Sequence, residues 1–185
     1  MRFDENRKVA WAVLAVCVLL SVFALGGGAI GRERAKVVKV FNNGEYTDTD
    51  VRHSMDAYLD NAGEAASIMA NEAELHLGAS DAIDAALKNA GLIGKDDAPL
   101  DERSRAYAEL KGQVEKLYNS LYNAVDQAGF KNFKLAYDDF WGCDDLLGRD
   151  GYHKLAKSYN DLISGFPGGI VAGITGNGAL ATFEG

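Results

Sequence analysis

The chain has 185 residues, 27 Asp and Glu against 19 Lys and Arg, and a formal net charge of −8. The acidity is concentrated after the first 40 residues: residues 41–185 hold 24 acidic and 12 basic side chains. That balance argues against nucleic acid or an anionic lipid surface as the main partner of this part. Two cysteines, Cys17 and Cys143, exclude a disulfide framework or a cysteine metal centre, and the scarcity of proline suits long helices.

Residues 1–8 form a short basic N-terminus. Val9 to Leu25 is then an apolar run of 17 residues, and GGGAIG extends the uncharged stretch to Gly31. A helix rises about 1.5 Å per residue, so roughly 20 such residues cross a hydrocarbon core about 30 Å thick. Residues 9–31 are therefore expected to be a transmembrane helix, with the lipid bilayer as its partner. A cleaved secretory signal is the competing reading, and Gly26 to Ala29 would supply its small-residue site. The length of the run and the basic residues directly after it favour the anchor. Leu14-Ala15-Val16-Cys17 is similar to a lipid-attachment box, but bulky Val16 stands where a small residue belongs. Arg2, Arg7 and Lys8 precede the span and Arg32, Arg34, Lys36 and Lys39 follow it, so nearby basic residues do not decide its orientation. A short basic N-terminus before a span leads us to expect a single-pass protein with an extracytoplasmic soluble domain.

Residues 32–47 read as a juxtamembrane helix and linker, broken by the turn chemistry of Asn42-Asn43-Gly44, with N-cap candidates from Thr47 to Asp50. Residues 48–166 read as a helical bundle. From Asp48 to Ala90 a weak helical period runs through Val51, Met55, Tyr58, Ala62, Ala65, Met69, Ile83 and Leu87. Gly63 and Gly78 interrupt it, each unfavourable in a helix by about 1 kcal/mol relative to Ala. Gly91 to Pro99 is the clearest loop, after which Asp101 and Glu102 place negative charge on the first turn of a helix, where the dipole favours it. Tyr107, Leu110, Val114, Leu117, Leu121, Val125 and Ala128 then recur at coiled-coil-like spacings of three and four. Gly129 and Gly148 are weaker punctuation. Tyr152, Leu155, Tyr159, Leu162 and Phe166 repeat the alternation, which puts one apolar face on the helix. No alternating strand pattern of useful length occurs. The expected fold is all-α: an N-terminal transmembrane helix followed by an antiparallel bundle of three to four long helices.

Residues 167–185 read as a Gly-rich C-terminal tail. Pro167 is expected to end the last helix, with Phe166 as the final apolar residue of its stripe. Ile170, Val171, Ile174 and Phe183 are then expected to fold back as a cap over the open end of the bundle. The alternative is a membrane-surface or partner-docking tail. Tyr159-Asn160, Phe166-Pro167, Ala172-Gly173 and Phe183-Glu184 give this end a resemblance to the LemA family of membrane proteins. In that family an N-terminal span is followed by a helical domain with similar closing motifs. The resemblance implies a prokaryotic, single-pass membrane protein, and it makes these eight residues the candidate interaction or family-motif positions. The family has no established biochemical activity, so it implies no catalytic residue and no cofactor.

The residues themselves show little chemistry. His53, His76 and His153 lack the spacing of a metalloprotease helix. Glu72 and His76 are one turn apart, a pair that can hold a metal but more often lies on a solvated face. Asp138, Asp139, Asp144 and Asp145 bracket Trp141 and Cys143 without the ordered calcium-loop pattern. Acids on both sides of Cys143 are expected to raise its pKa and blunt the thiol. No hydrolase or phosphate-loop motif occurs. The expected function is a non-enzymatic helical scaffold or interaction protein with an unidentified protein partner, homo-oligomerisation included, and no bound metal. The alternative is a ligand- or metal-binding accessory factor of an envelope enzyme.

Overall fold

The computed structural model describes residues 3–44 and 54–183, and among these the chain forms seven α-helices and no strand. Helix α1 (Phe3–Asn43) carries the apolar run and continues through the juxtamembrane residues to Gly44, whose φ of 72° stops it. It is long and apolar enough to cross a membrane, and its most apolar window is unburied. Helix α2 (Met55–Leu77) starts where the Ser54 hydroxyl accepts the Ala57 N–H at 3.1 Å. The N-cap candidates Thr47–Asp50 lie outside the described residues. Gly78, at φ 81°, ends α2, so the weak period expected to run from 48 to 90 divides here. Ser80 caps α3 (Asp81–Ile93), with Asp81 and Asp84 in its first turn. Helices α4 (Leu100–Tyr122) and α5 (Gln127–Arg149) follow, the latter entered through Asp126, whose carboxylate accepts the Gly129 N–H at 2.9 Å. Helix α6 (Tyr152–Ser164) precedes α7 (Gly168–Thr175), an extra helix inside the segment read as a tail. Pro167 is the N-cap of α7 as well as a stop for what precedes it.

The packing divides into two units. One comprises Met1–Val38 with Lys157–Leu180, the other Lys39–Ala156 with Ala181–Gly185. In the second unit α2 to α5 pack on one another as the bundle. The expected α4 stripe is its spine: Tyr107, Leu110, Val114, Leu117 and Leu121 are all buried. The helix stops at Tyr122, so Val125 and Ala128 of the same period fall outside it. Helix α2 contributes mostly small residues, Ala62, Ala65, Ala66, Ala70 and Ala73, around Leu59 and Met69.

Those small residues permit a close crossing, and Gly63 marks its tightest point. A Cβ at Gly63 would lie 2.7 Å from the Ala90 carbonyl oxygen and 3.2 Å from Ile93 Cγ1. Helix propensity alone predicts that Gly63→Ala adds stability. With the backbone of α3 in the way, we expect the opposite, a loss of about 1–3 kcal/mol from overpacking. Chemical denaturation of the Gly63→Ala variant checks the sign, and a gain would mean that α2 and α3 are further apart than described.

The end of the chain completes this unit. Phe183 is buried against Phe41, ring centroids 5.7 Å apart, and Tyr107, at 6.3 Å. The Tyr152 hydroxyl donates to the Ala181 carbonyl at 2.7 Å, and the Ser104 hydroxyl to the Thr182 carbonyl at 2.6 Å. Phe183 thus covers core as expected of a cap, and Val171 is buried in the first unit, whereas Ile170, Ile174 and the stripe-ending Phe166 are exposed. Phe166 is 87% exposed, Ile170 52% and Ile174 66%. Along α6 the buried apolar positions are Tyr152, Ala156, Tyr159 and Ile163, while Leu162 is exposed. The true face is thus turned one position from the 155–162–166 row.

In the first unit polar contacts tie the second half of α6 to the C-terminal segment. Val171 and Ala172 are buried. The Tyr159 hydroxyl donates to the Asn177 carbonyl at 2.9 Å. The Asn160 amide both donates to the Leu180 carbonyl and accepts the Leu180 N–H, each at 2.8 Å.

Candidate functional site

Arg103 is the centre of a dense polar arrangement. It lies in the first turns of α4, where the helix dipole disfavours a cation, yet it is only 1% exposed. Its Nε donates to the Ile93 carbonyl at the end of α3 at 2.8 Å, and its Nη1 to Asp56 Oδ1 in α2 at 2.6 Å. Nη2 lies 4.0 Å from Asp60 Oδ1, and the guanidinium sits 5.4 Å from the centre of the Phe41 ring. One side chain therefore joins α2, α3, α4 and the aromatic core.

Asp56, Asp60 and Asp96 converge around it, their ligand atoms within 4.8 Å of one another. Burial, followed by the charges of Asp56 and Asp96, pushes the Asp60 carboxyl above its usual range, while Arg103 opposes the shift. Three convergent carboxylates are hard oxygen ligands of the kind that hold divalent cations. Here one of the three charges is already matched by the buried guanidinium. The sequence carried two signals of this site: the i, i+4 pair Asp56 and Asp60, and a basic residue in the wrong turn of α4. What it lacked was any sign that Asp96, in the 94–99 loop, joins them.

The acids near Trp141 are arranged differently. Asp144 accepts the Tyr107 hydroxyl at 2.7 Å and pairs with Lys111 at 2.8 Å. Asp138 pairs with Lys134, and Asp145 with Arg149, both one turn along α5. Burial and the Asp144 carboxylate keep the Tyr107 phenol protonated far above its normal range. Most of the acidic run is thus a set of structural pairs. Asp138, Asp139 and Cys143 also line a cleft of about 530 Å³ with Asn61, Glu64 and Ile68 of α2. Burial first, then the Asp139 charge, raises the Cys143 thiol pKa. The expected blunting of this thiol is therefore present, with burial as the larger cause. A thiol held protonated is a poor nucleophile.

Glu72 and His76 lie 3.5 Å apart as a half-exposed pair on α2. His153 is buried, its Nε2 2.8 Å from the Leu147 carbonyl, in a structural role. His53 lies outside the described residues.

The positions singled out at the C-terminal end serve the fold in distinct ways. Tyr159 and Asn160 hold the backbone of residues 177–180, Ala172 is buried in α7, and Phe183 fills core. Phe166 and Pro167 form an exposed corner ahead of α7, and a Cβ at Gly173 would meet open space. Glu184 lies outside the described residues. No family model, no curated protein and no solved structure matches this chain.

Proposed function

We propose that this chain is a LemA-type, membrane-anchored helical scaffold or interaction protein of a prokaryotic envelope, with no catalytic activity of its own. The observation that carries the reading is the contrast within the chain. Helix α1 leaves Val9 to Leu25 outside any core, while the α2–α5 bundle buries its apolar stripes among its own helices. An apolar helix that its own protein does not cover needs a non-aqueous environment. The bundle's acidic, ion-paired surface suits water beside a membrane. We take residues 9–31 as a single span with the bundle on the extracytoplasmic side.

Full-length protein should stay in the membrane pellet through alkaline carbonate washing. Leu14→Arg with Leu19→Arg should release it, because each charge at a span centre opposes insertion by about 2.5–3.5 kcal/mol. Extraction of the unmodified chain by carbonate would sink the anchor. Protease added outside spheroplasts should remove the bundle, and protection would reverse the orientation. Crosslinking in native membranes then identifies the partner.

The convergence of Asp56, Asp60 and Asp96 supports a second reading, a ligand- or metal-binding accessory factor. Calorimetric titration with Ca²⁺, Mg²⁺ and Zn²⁺ separates the two. Micromolar binding that Asp96→Asn abolishes belongs to the accessory factor only.

A further inference from the structure

Helix α7 has two faces with different fates. One packs on α1 where that helix is smallest. A Cβ at Gly26 would lie 3.6 Å from Val171 Cγ1, one at Gly27 only 2.7 Å from Thr175 Cγ2, and one at Gly31 3.6 Å from Asn177 Nδ2. The Thr175 hydroxyl is held by the Val171 carbonyl at 2.8 Å, which pins the rotamer that fills this space. The glycines of GGGAIG are thus the seat of α7, a close approach that only small residues allow.

The other face is apolar and uncovered. Ile170 and Ile174, one helical turn apart, are more than half exposed, and Phe166 just ahead of the helix is almost fully so. Large aromatic and branched side chains concentrated on one side of an eight-residue helix are costly to leave in water.

Their position on α1 indicates what covers them. Val171 and Thr175 meet α1 at Gly26 and Gly27, directly after Leu25, the last residue of the apolar run and itself 75% exposed. The first charge on α1 after the run is Arg32. Side chains of α7 at the level of Gly26 and Gly27 therefore share the surroundings of Leu25 and lie on the apolar side of Arg32. No charged residue occurs from Leu162 to Phe183, so nothing in this segment opposes entry into an apolar phase. A water-facing surface helix would carry charges on its outer side.

We infer that Phe166, Ile170 and Ile174 of the α7 segment dip into the boundary of the same bilayer that α1 crosses, making a second, interfacial membrane contact. This inference rests on reading residues 9–31 as the span. An amphipathic segment lying in the interface buries its apolar face among headgroups and upper acyl chains. Attached to the span through the glycine seat, α7 restricts how α1 rotates about its own axis.

The test uses the full chain carrying Cys17→Ala and Cys143→Ser, with single cysteines at Leu14, Phe166, Ile170 or Ile174. Each is labelled with an environment-sensitive fluorophore and reconstituted into phosphatidylcholine vesicles. Emission at 166, 170 and 174 should lose most of its intensity to lipids carrying a nitroxide high on the acyl chain and little to aqueous iodide. Leu14 should respond to nitroxides placed deep in the bilayer. If Leu14 responds while 166, 170 and 174 are quenched by iodide, the interfacial contact is overturned and the span stands. If the three positions resist both quenchers, they are covered by protein, such as a second copy of the chain, and the lipid assignment is again overturned. If Leu14 fails to respond, the span reading falls, and the three α7 positions then report on lipid contact by themselves. Because all three side chains are exposed, the substitutions do not depend on the core tolerating them.

Discussion

Replacing Asp56 with Ala should destabilise the bundle by about 3–5 kcal/mol, the usual consequence of leaving a buried charge without its partner. Arg103 has nowhere to go: its side chain is 2% exposed, and its Nε is committed to the Ile93 carbonyl. Asp60 stands too far away at 4.0 Å to replace the 2.6 Å contact without moving. Arg103→Met should be milder than Asp56→Ala, because it removes the charge together with its need for a partner while keeping much of the packed volume. It leaves the Ile93 carbonyl without its donor, which costs about 1–3 kcal/mol if water does not replace it. Urea denaturation of the detergent-solubilised full chain, followed by the helical circular dichroism signal, measures both. An Asp56→Ala loss below that of Arg103→Met would mean that the guanidinium is hydrated in solution and that the buried pair is not what joins α2 to α4.

Phe183→Ala should remove about 3–5 kcal/mol of stability, as expected for truncating a buried aromatic. The ring packs against Phe41 and Tyr107, so its loss opens a cavity between three elements far apart in sequence. The Tyr152 and Ser104 hydrogen bonds to residues 181 and 182 hold the backbone in place and limit how far the site can collapse. Phe166→Ala should change stability by less than about 0.5 kcal/mol, because the ring touches little of the protein. The sequence reading makes Phe166 the last residue of the α6 stripe and Phe183 part of the cap and expects both to be covered, so the contrast separates the two accounts. Equal losses in thermal unfolding would restore the periodic reading, in which Phe166 closes the α6 stripe.

Much of the fold follows from near neighbours in the chain. The apolar run of α1, the stripe from Tyr107 to Leu121 and the loop before Leu100 all depend on residues within a turn or two of one another. Periodicity and local hydrogen bonding act at that range, so such features are visible without a structure. The all-α class and the apolar N-terminal helix are of this kind. Gly78 was likewise visible as an interruption, although only its positive φ shows that it ends α2 rather than weakening it.

Tertiary structure decided what distant segments do to one another. Tyr152 and Tyr159 belong to two overlapping rows of α6, and periodicity cannot choose between Leu155 with Leu162 and Ala156 with Ile163. The choice is made where the two phenols find the carbonyls of Ala181 and Asn177. Gly63 looks like a weakness in its own helix and becomes a requirement once the Ala90 carbonyl lies across it. Arg103 finds its carboxylate 47 residues away, and Asn160 brackets a backbone 20 residues downstream. A Gly-rich stretch carries too little side-chain pattern to announce a helix, so α7 depends on the matching glycines of α1 for its place. The sequence by itself determined the all-α class and which stretch is long and apolar enough to cross a membrane. The tertiary structure alone determined which faces meet and where the buried charge sits, because close packing and charge pairing depend on chain segments that local pattern cannot relate.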